Sequence, residues 1–110
     1  EGFEQALNRS LRISEEAAAE MAEAARWYEA HRPGLGVEFL EALDDAVARI
    51  AERPRLGSSV WDVADEAIRR RALRRFPYHV IYLELPDRLQ ILAVAHDRRR
   101  PGYWVGRVRP

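Results

Sequence analysis

The chain is 110 residues long, with 47% hydrophobic and 33% charged residues, a net charge of zero and no cysteine. This length fits one domain with one core, and the composition is typical of a soluble globular protein. The absence of cysteine excludes disulfides and thiolate metal sites. No apolar run reaches the roughly 18 residues of a membrane helix, and residues 1–13 lack the apolar segment of a signal peptide. We therefore expect a cytoplasmic protein without a membrane partner.

The zero net charge conceals a difference between the two halves of the chain. Residues 1–65 hold 7 arginines and 14 acidic residues, a net charge of −7, whereas residues 66–110 hold 11 arginines and 4 acidic residues, a net charge of +7. All 18 basic residues are arginine, which forms bidentate contacts with phosphate and carboxylate groups. A GC-rich genome explains the absence of lysine equally well, but it does not explain the clustering. The basic half is therefore expected to meet an anionic partner.

The first half of the chain predicts a helical hairpin. Ser14 is a good N-cap for a helix that runs to about His31, and a second helix is predicted from about Leu35 to Arg53. The Pro33-Gly34 turn makes the two helices antiparallel neighbours. The predicted apolar stripes are Ala17, Ala18, Met21, Ala24, Ala25 and Tyr28 in the first helix and Val37, Leu40, Leu43, Val47 and Ile50 in the second. The acidic side chains expected on the outer faces are Glu20, Glu23, Glu38, Glu41 and Asp44.

Strands are predicted before and after this hairpin. They are residues 9–13, a short strand or irregular lead-in at 58–63, and residues 67–73, 78–85 and 89–96. The last of these is apolar on both faces, as in a central strand, and the tail from residue 97 is a loop with a final short turn or strand. The order β-α-α-β-β-β predicts an α+β fold, with the hairpin packed on one face of a small, mainly antiparallel sheet. We expect one domain over residues 9–110, with residues 1–8 as an N-terminal extension or sequence left from expression.

Two motifs late in the chain carry a resemblance to a known family. Residues 73–82, LRRFPYHVIY, resemble the R-x-F-P-Y-x-hydrophobic-x-Y strand of the RelE/ParE toxin superfamily. Residues 91–104, ILAVAHDRRRPGYW, resemble its last strand and its H-x-R-R-x-P-x-Y-W tail. Both follow a helical hairpin with Trp27-Tyr28-Glu29 near its turn. The resemblance covers about residues 9–107 and is closer to the ParE branch than to the RelE branch.

The resemblance implies a toxin of a bacterial type II toxin–antitoxin system, a class linked to plasmid stabilization. ParE-like toxins inhibit DNA gyrase, which implies a protein that binds a topoisomerase without catalysing a reaction and without a cofactor. A cognate antitoxin neutralises such toxins, and its extended C-terminal segment is expected on the sheet edge and the helical hairpin. Two alternatives stay open: a RelE-like, ribosome-dependent mRNA endonuclease that needs no metal, and an inactive module that only binds its antitoxin.

The basic clusters supply the candidate residues for binding the target or the antitoxin. These are Arg69, Arg71, Arg74, Arg75, His96, Arg98, Arg99, Arg100, Tyr103 and Trp104. The first cluster, on one predicted strand and its exit, is Arg69, Arg70, Arg71, Arg74 and Arg75, and the second, after the neighbouring strand, is Arg98-Arg99-Arg100. Alternation along the strand puts the first cluster on both sheet faces. Because sequential strands tend to pair, the two clusters are expected to converge at one edge of the sheet. A solvated face paired with the acidic hairpin is the alternative interpretation.

A nuclease would use a different subset of residues. Carried over by position from the RelE branch, the set is His79, Arg74, Arg98 and Tyr103. His79 can act as a base, but one of the RelE-type lysine positions falls on Ala72. The structural interpretations are a partly buried or hydrogen-bonded His79, His96 as a cap or tail anchor, Tyr78 and Tyr82 in the core, and a tail pinned by Tyr103 and Trp104. Three histidines with no carboxylate at ligand spacing predict no metal site.

Overall fold

A computed structural model of the chain describes residues 10–60 and 68–108. The helices are α1 (Glu15–His31) and α2 (Leu35–Glu52), and the strands are β1 (Ser10–Ile13), β2 (Ser58–Ser59), β3 (Ile68–Ala72), β4 (Tyr78–Glu84) and β5 (Arg88–His96). Short 3-10 turns cover Pro54–Leu56 and Val105–Val108. The predicted extension at 1–8, and the parts of the predicted strands at residue 9 and at 61–67, lie outside the described residues.

The strands form one sheet in the order β1-β5-β4-β3-β2. β1 runs parallel to β5, and the other pairs are antiparallel. This confirms the predicted α+β fold with a mainly antiparallel sheet, and it confirms β5 as a central strand. Of the predicted strand at 58–63, the described part contains the two residues of β2, and the described tail ends in a 3-10 turn and not in a strand.

Hydrogen bonds satisfy the amides at the start of each helix of the hairpin. The Ser14 hydroxyl accepts a hydrogen bond from the Ala17 amide at 3.0 Å, which caps α1. Gly34 adopts a φ of 89° at the start of α2, and the Glu29 carboxylate accepts hydrogen bonds from the amides of Gly34 and Gly36. A carboxylate at this position also complements the dipole of α2. Neither helix in the described residues is long and apolar enough to cross a bilayer.

The apolar stripe predicted for α2 is only half right. Leu43 and Ile50 are buried and Val47 is partly buried, but Val37 is 57% exposed and Leu40 is 41% exposed. The buried side of α2 is instead made by Gly36, Phe39, Leu43, Ala46 and Ile50. The cause is the close approach of the helices, because a Cβ atom at Gly36 would lie 2.7 Å from the Ala25 carbonyl oxygen. In α1, the predicted stripe residue Ala18 is exposed in the same way.

Two apolar clusters cover the two faces of the sheet. The first lies between the hairpin and one face, where its largest fully buried side chains are Tyr82, Phe39, Ile50, Ile91 and Val80. The second lies on the opposite face and contains Ile68, Ile81, Leu83, Leu92, Ala93 and Trp104. A β-bulge interrupts the pairing of β4 with β5, because Ile81 pairs with Ala93 whereas the next residue, Tyr82, pairs with Ile91. Leu92 is therefore an extra residue, and it lies with Ala93 in the second cluster.

Candidate functional site

The tail, residues 97–108, is fastened to α1 by three side chains that we call the tail latch: Glu20, Tyr103 and Arg107. Arg107 donates to both carboxylate oxygens of Glu20, at 3.0 and 2.9 Å, and Tyr103 donates to the same carboxylate at 2.7 Å. Glu20 also accepts the Val94 amide at 2.9 Å, and Arg107 donates to the Leu92 carbonyl at 3.0 Å. Because β1 ends before this part of β5, these side chains satisfy backbone groups that a neighbouring strand would otherwise pair.

The environment of the tail latch sets the charge of its members. Burial raises the pKa of Glu20, but the hydrogen bonds from Arg107, Val94 and Tyr103 outweigh it and leave that pKa below its ordinary value. Burial and the hydrogen bond to Glu20 raise the pKa of Tyr103. The hydrogen bond to Glu20 raises the pKa of Arg107. The latch therefore joins a charged carboxylate to a charged guanidinium and a neutral phenol.

The two aromatic residues of the tail pack against the protein. Trp104 is 3% exposed and belongs to the second apolar cluster. The Tyr103 ring is covered by the Arg99 guanidinium, whose carbon lies 3.9 Å from the ring centroid. The interpretation that both rings pin the tail is thus confirmed. Trp104, although a candidate for partner binding, has almost no surface to offer.

On the tail side of the sheet, a basic cleft of about 70 Å³ is formed by Arg70, His79, Asp97, Arg99 and Arg100. His79 is half-buried, and its Nδ1 atom lies 2.9 Å from an Asp97 carboxylate oxygen. Since a carboxylate only accepts hydrogen bonds, Nδ1 carries the hydrogen in this pair. Strand pairing holds His79 in place, because His79 of β4 lies opposite Ala72 of β3 and Ala95 of β5. The interpretation of His79 as a hydrogen-bonded, partly buried residue is confirmed.

The arginines of the first cluster separate into different surroundings. Arg69 donates to the Gly57 carbonyl at 2.9 Å. Arg75 has a φ of 72° and reaches the Glu38 carboxylate of α2 at 2.8 Å. That hydrogen bond from Arg75 lowers the pKa of Glu38.

The expected convergence of the two arginine clusters is only partial. β4 lies between β3 and β5, so Arg70 alone of the first cluster lines the basic cleft with Arg99 and Arg100. Alternation along β3 turns Arg69 and Arg71 to the opposite face, across from Tyr82 and Val80. The side chains of Arg74 and Arg98 are exposed and make no hydrogen bond or ion pair with residues 10–60 or 68–108.

An apolar groove of about 590 Å³ runs between α1 and the adjoining ends of β4 and β5. Its residues are Glu20, Glu23, Ala24, Trp27, Tyr28, Pro77, Tyr78, Val94, His96 and Arg99. Trp27 stands at the rim, 57% exposed, with its ring centroid 3.9 Å from that of His31. His96 packs edge-on against Tyr78, and its Nδ1 atom accepts the Arg98 amide at 3.0 Å. This confirms His96 as a strand cap.

Comparison with known proteins decides the family. A family model of the ParE toxin of the type II toxin–antitoxin system parDE matches residues 11–101. The chain belongs to the ParE toxin family. Its fold is also similar to that of a chain from the chromosomal ParDE toxin–antitoxin system of P. aeruginosa, with a TM-score of 0.68 and 18% identity over 81% of this chain and 96% of the other. No curated protein sequence gives a significant match. The family match confirms the assignment to the ParE branch.

In this ParE-family toxin, two of the four residues named for a nuclease line the basic cleft. Tyr103 and His79 line the same basic cleft, but Arg74 and Arg98 are not among the residues that form it. The Tyr103 hydroxyl already donates to Glu20 at 2.7 Å. No three His, Asp or Glu side chains within residues 10–60 and 68–108 are grouped as metal ligands. The arrangement of charged donors can bind an anion.

Sequence reasoning missed Glu20, Asp97 and Arg107, and it assigned Glu20 wrongly to the outer face of the hairpin. The Glu20 side chain is 16% exposed and faces β5. Its position, three residues after Ala17 and four before Ala24, is the spacing of the buried side of α1. That spacing was a usable signal. Asp97 and Arg107 lie in the tail, where no periodic pattern predicts which side chains turn inward.

Proposed function

We propose that this ParE-family toxin inhibits DNA gyrase or a related topoisomerase in the cytoplasm, by binding and without catalysing a reaction. Family membership supports the target class. The observation that carries the choice of binding over cleavage is the engagement of the Tyr103 hydroxyl by Glu20. With that proton donor held in the tail latch, the exposed arginines are left as a surface for an acidic partner, and Arg74 and Arg98 are two of its exposed members.

A supercoiling assay with purified gyrase tests this proposal. The toxin is expected to inhibit supercoiling, and the double variant Arg74→Glu/Arg98→Glu should need at least about tenfold more toxin, because like charges facing each other in an interface cost several kcal/mol. Arg26→Glu reverses the charge of one exposed arginine on α1 and serves as the control. No inhibition at a stoichiometric excess of wild-type toxin would contradict the proposal.

Two further assays separate the alternatives. The half-buried His79–Asp97 pair lends some support to the endonuclease alternative. Toeprinting on translating ribosomes would reveal cleavage of mRNA in the A site. Cleavage by the wild type that is lost in His79→Ala would support that alternative. Expression without a partner protein is expected to arrest growth. Unchanged growth, together with unaffected gyrase, would leave the inactive binding module as the remaining function.

The cognate antitoxin is proposed to occupy the apolar groove and an edge of the sheet. Trp27 offers an exposed aromatic ring at the groove rim, the kind of side chain that anchors interfaces. β3 extends past β2, whose two residues pair only with Arg70 and Arg69. An extended segment can therefore add to β3 beside Arg71 and bring carboxylates to that arginine.

Binding measurements with the antitoxin's C-terminal peptide test both contacts. Trp27→Ala is expected to weaken binding by about 2 kcal/mol. Leu56 is 64% exposed and does not line the groove, so Leu56→Ala should have no effect on binding. Arg71→Glu or Arg98→Glu should also weaken the complex, and so should added salt. Equal effects of Trp27→Ala and Leu56→Ala would argue against the groove.

A further inference from the structure

We propose that the basic cleft binds a phosphate group. Its charged and histidine residues are Arg70, His79, Asp97, Arg99 and Arg100, of which only Arg99 also lines the apolar groove proposed for the antitoxin. The proposal goes beyond topoisomerase inhibition and does not depend on it, because it concerns a ligand class and not the cellular target.

The charge of the cleft favours an oxyanion. Three arginines line it, and the single acidic residue, Asp97, already holds the Nδ1–H of His79 at 2.9 Å. The Arg70 and Arg100 side chains make no hydrogen bond or ion pair with residues 10–60 or 68–108. Each guanidinium carries five N–H donors and keeps its charge at any physiological pH. The cleft therefore presents unused charged donors around one small space, which is the requirement for holding a phosphate.

The size and walls of the cleft favour a phosphate over a base or a larger ligand. A space of about 70 Å³ takes one small group. Trp104 is buried in the wall. The Arg99 guanidinium covers one face of the Tyr103 ring. Among the described residues that line the cleft, Tyr103 has one face covered and Trp104 is buried, which disfavours stacking of a base, so we expect recognition here not to depend on nucleic-acid sequence.

The His79–Asp97 pair provides a reporter for the ligand. Since Asp97 fixes the imidazole ring through Nδ1, the other ring nitrogen senses any charge that enters the cleft. Long-range ¹H–¹⁵N spectra of wild-type toxin, titrated with inorganic phosphate and separately with single-stranded oligothymidylate, should show the His79 nitrogens shifting while those of His31, which is exposed and bonded within α1, stay in place.

A variant series with the same two probes tests the donors. In Arg70→Gln/Arg100→Gln the affinity should fall at least about tenfold, the value of one lost charge-assisted hydrogen bond. Arg26→Gln, which removes one exposed charge on α1 away from the cleft, should leave it unchanged. Thermal melting checks that the variants fold, and the replaced side chains are exposed.

The two probes identify the source of the phosphate. Tighter binding of oligothymidylate, with an affinity that falls as salt rises, would identify a nucleic-acid backbone. Equal or tighter binding of inorganic phosphate would identify a free phosphate or a terminal one. An unmoved His79 signal with both probes, or the same affinity in the double variant as in Arg26→Gln, would overturn the proposal. Inhibition of gyrase by wild-type toxin is read separately, so either proposal can fail alone.

Discussion

The tail latch should behave as a partly buried ion pair and not as a surface one, and a double-mutant cycle can tell the two apart. The cycle uses Glu20→Ala, Arg107→Ala and the double variant, with stability measured by urea denaturation. The two side chains are only 16% and 17% exposed, and two hydrogen bonds of 2.9 and 3.0 Å join them. Hydrogen bonds to charged groups contribute about 1.5–3 kcal/mol each, before the cost of desolvation. We therefore expect a coupling free energy of about 2 kcal/mol.

The single substitutions should cost more than this coupling. Glu20→Ala also leaves the Val94 amide and the Tyr103 hydroxyl without their acceptor. Breaking a buried pair by removing one partner typically costs about 3–5 kcal/mol. Because this pair is not completely buried, we expect about 3 kcal/mol for Glu20→Ala.

A second ion pair of the same protein supplies the control. Asp45 and Arg49 lie one turn apart on α2, joined at 3.0 Å, and are 48% and 39% exposed. Exposed pairs with this spacing contribute about 0.3–0.5 kcal/mol. A coupling between Glu20 and Arg107 no larger than that between Asp45 and Arg49 would contradict this expectation, since it would show that shielding from solvent does not strengthen the tail latch.

Three further predictions concern stability and use the same unfolding measurement. Because the folded-state pKa of Glu20 is lowered, the stabilisation by its carboxylate is present above the ordinary glutamate pKa and is lost as pH falls through the folded-state pKa. The stability of Glu20→Gln should therefore depend less on pH in the acid range than that of the wild type. Parallel curves of stability against pH for the two proteins would contradict this. Gly36→Ala should cost about 1–3 kcal/mol, because the new Cβ lies 2.7 Å from the Ala25 carbonyl oxygen, whereas Gly106→Ala, with nothing within 4 Å, should stay within about 0.5 kcal/mol. Trp104→Ala should cost about 3–5 kcal/mol through the cavity it leaves, and a loss below about 1 kcal/mol would show that the tail does not cover the sheet.

The order and type of the main elements could be predicted because local signals mark them. Ser14, Pro33-Gly34 and Pro54 bound the helices, and the strands at 78–84 and 88–96 carry the expected apolar and aromatic residues. The parallel pairing of β1 with β5 lies beyond the reach of such signals, because it joins Ser10 to Arg88 near the other end of the chain.

The orientation of α2 was the main error in the fold. Val37 and Leu40 have the spacing and hydrophobicity of a core stripe. The parallel stripe that contains Gly36 and Phe39 looks weaker in the sequence, because glycine has no apolar side chain. What decides the orientation is the absence of a side chain at Gly36, which allows α1 and α2 to approach. A hydrophobicity pattern carries no information on close backbone contact, so this orientation had to come from the structure.

The candidate site was predictable in composition but not in arrangement. The arginine clusters are evident in the sequence, yet β4 separates their strands, and only Arg70 meets the second cluster. Glu20 was taken for a solvated residue because charged side chains on helices usually are. Its burial depends on Arg107, 87 residues later. Side-chain partners at such separations are set by tertiary structure, and no local pattern specifies them.

The pairing of β5 has a consequence for the time at which the protein folds. During synthesis, β1 leaves the ribosome early, but its hydrogen-bond partners from Arg88 to Ile91 do not yet exist. The second apolar cluster cannot form until Trp104 and Arg107 have been synthesised, which happens later still. Contacts between distant parts of a chain also form slowly. The nascent toxin therefore carries an uncovered sheet face until translation reaches the tail, and in that interval it is exposed to chaperones and proteases before it can act on any target.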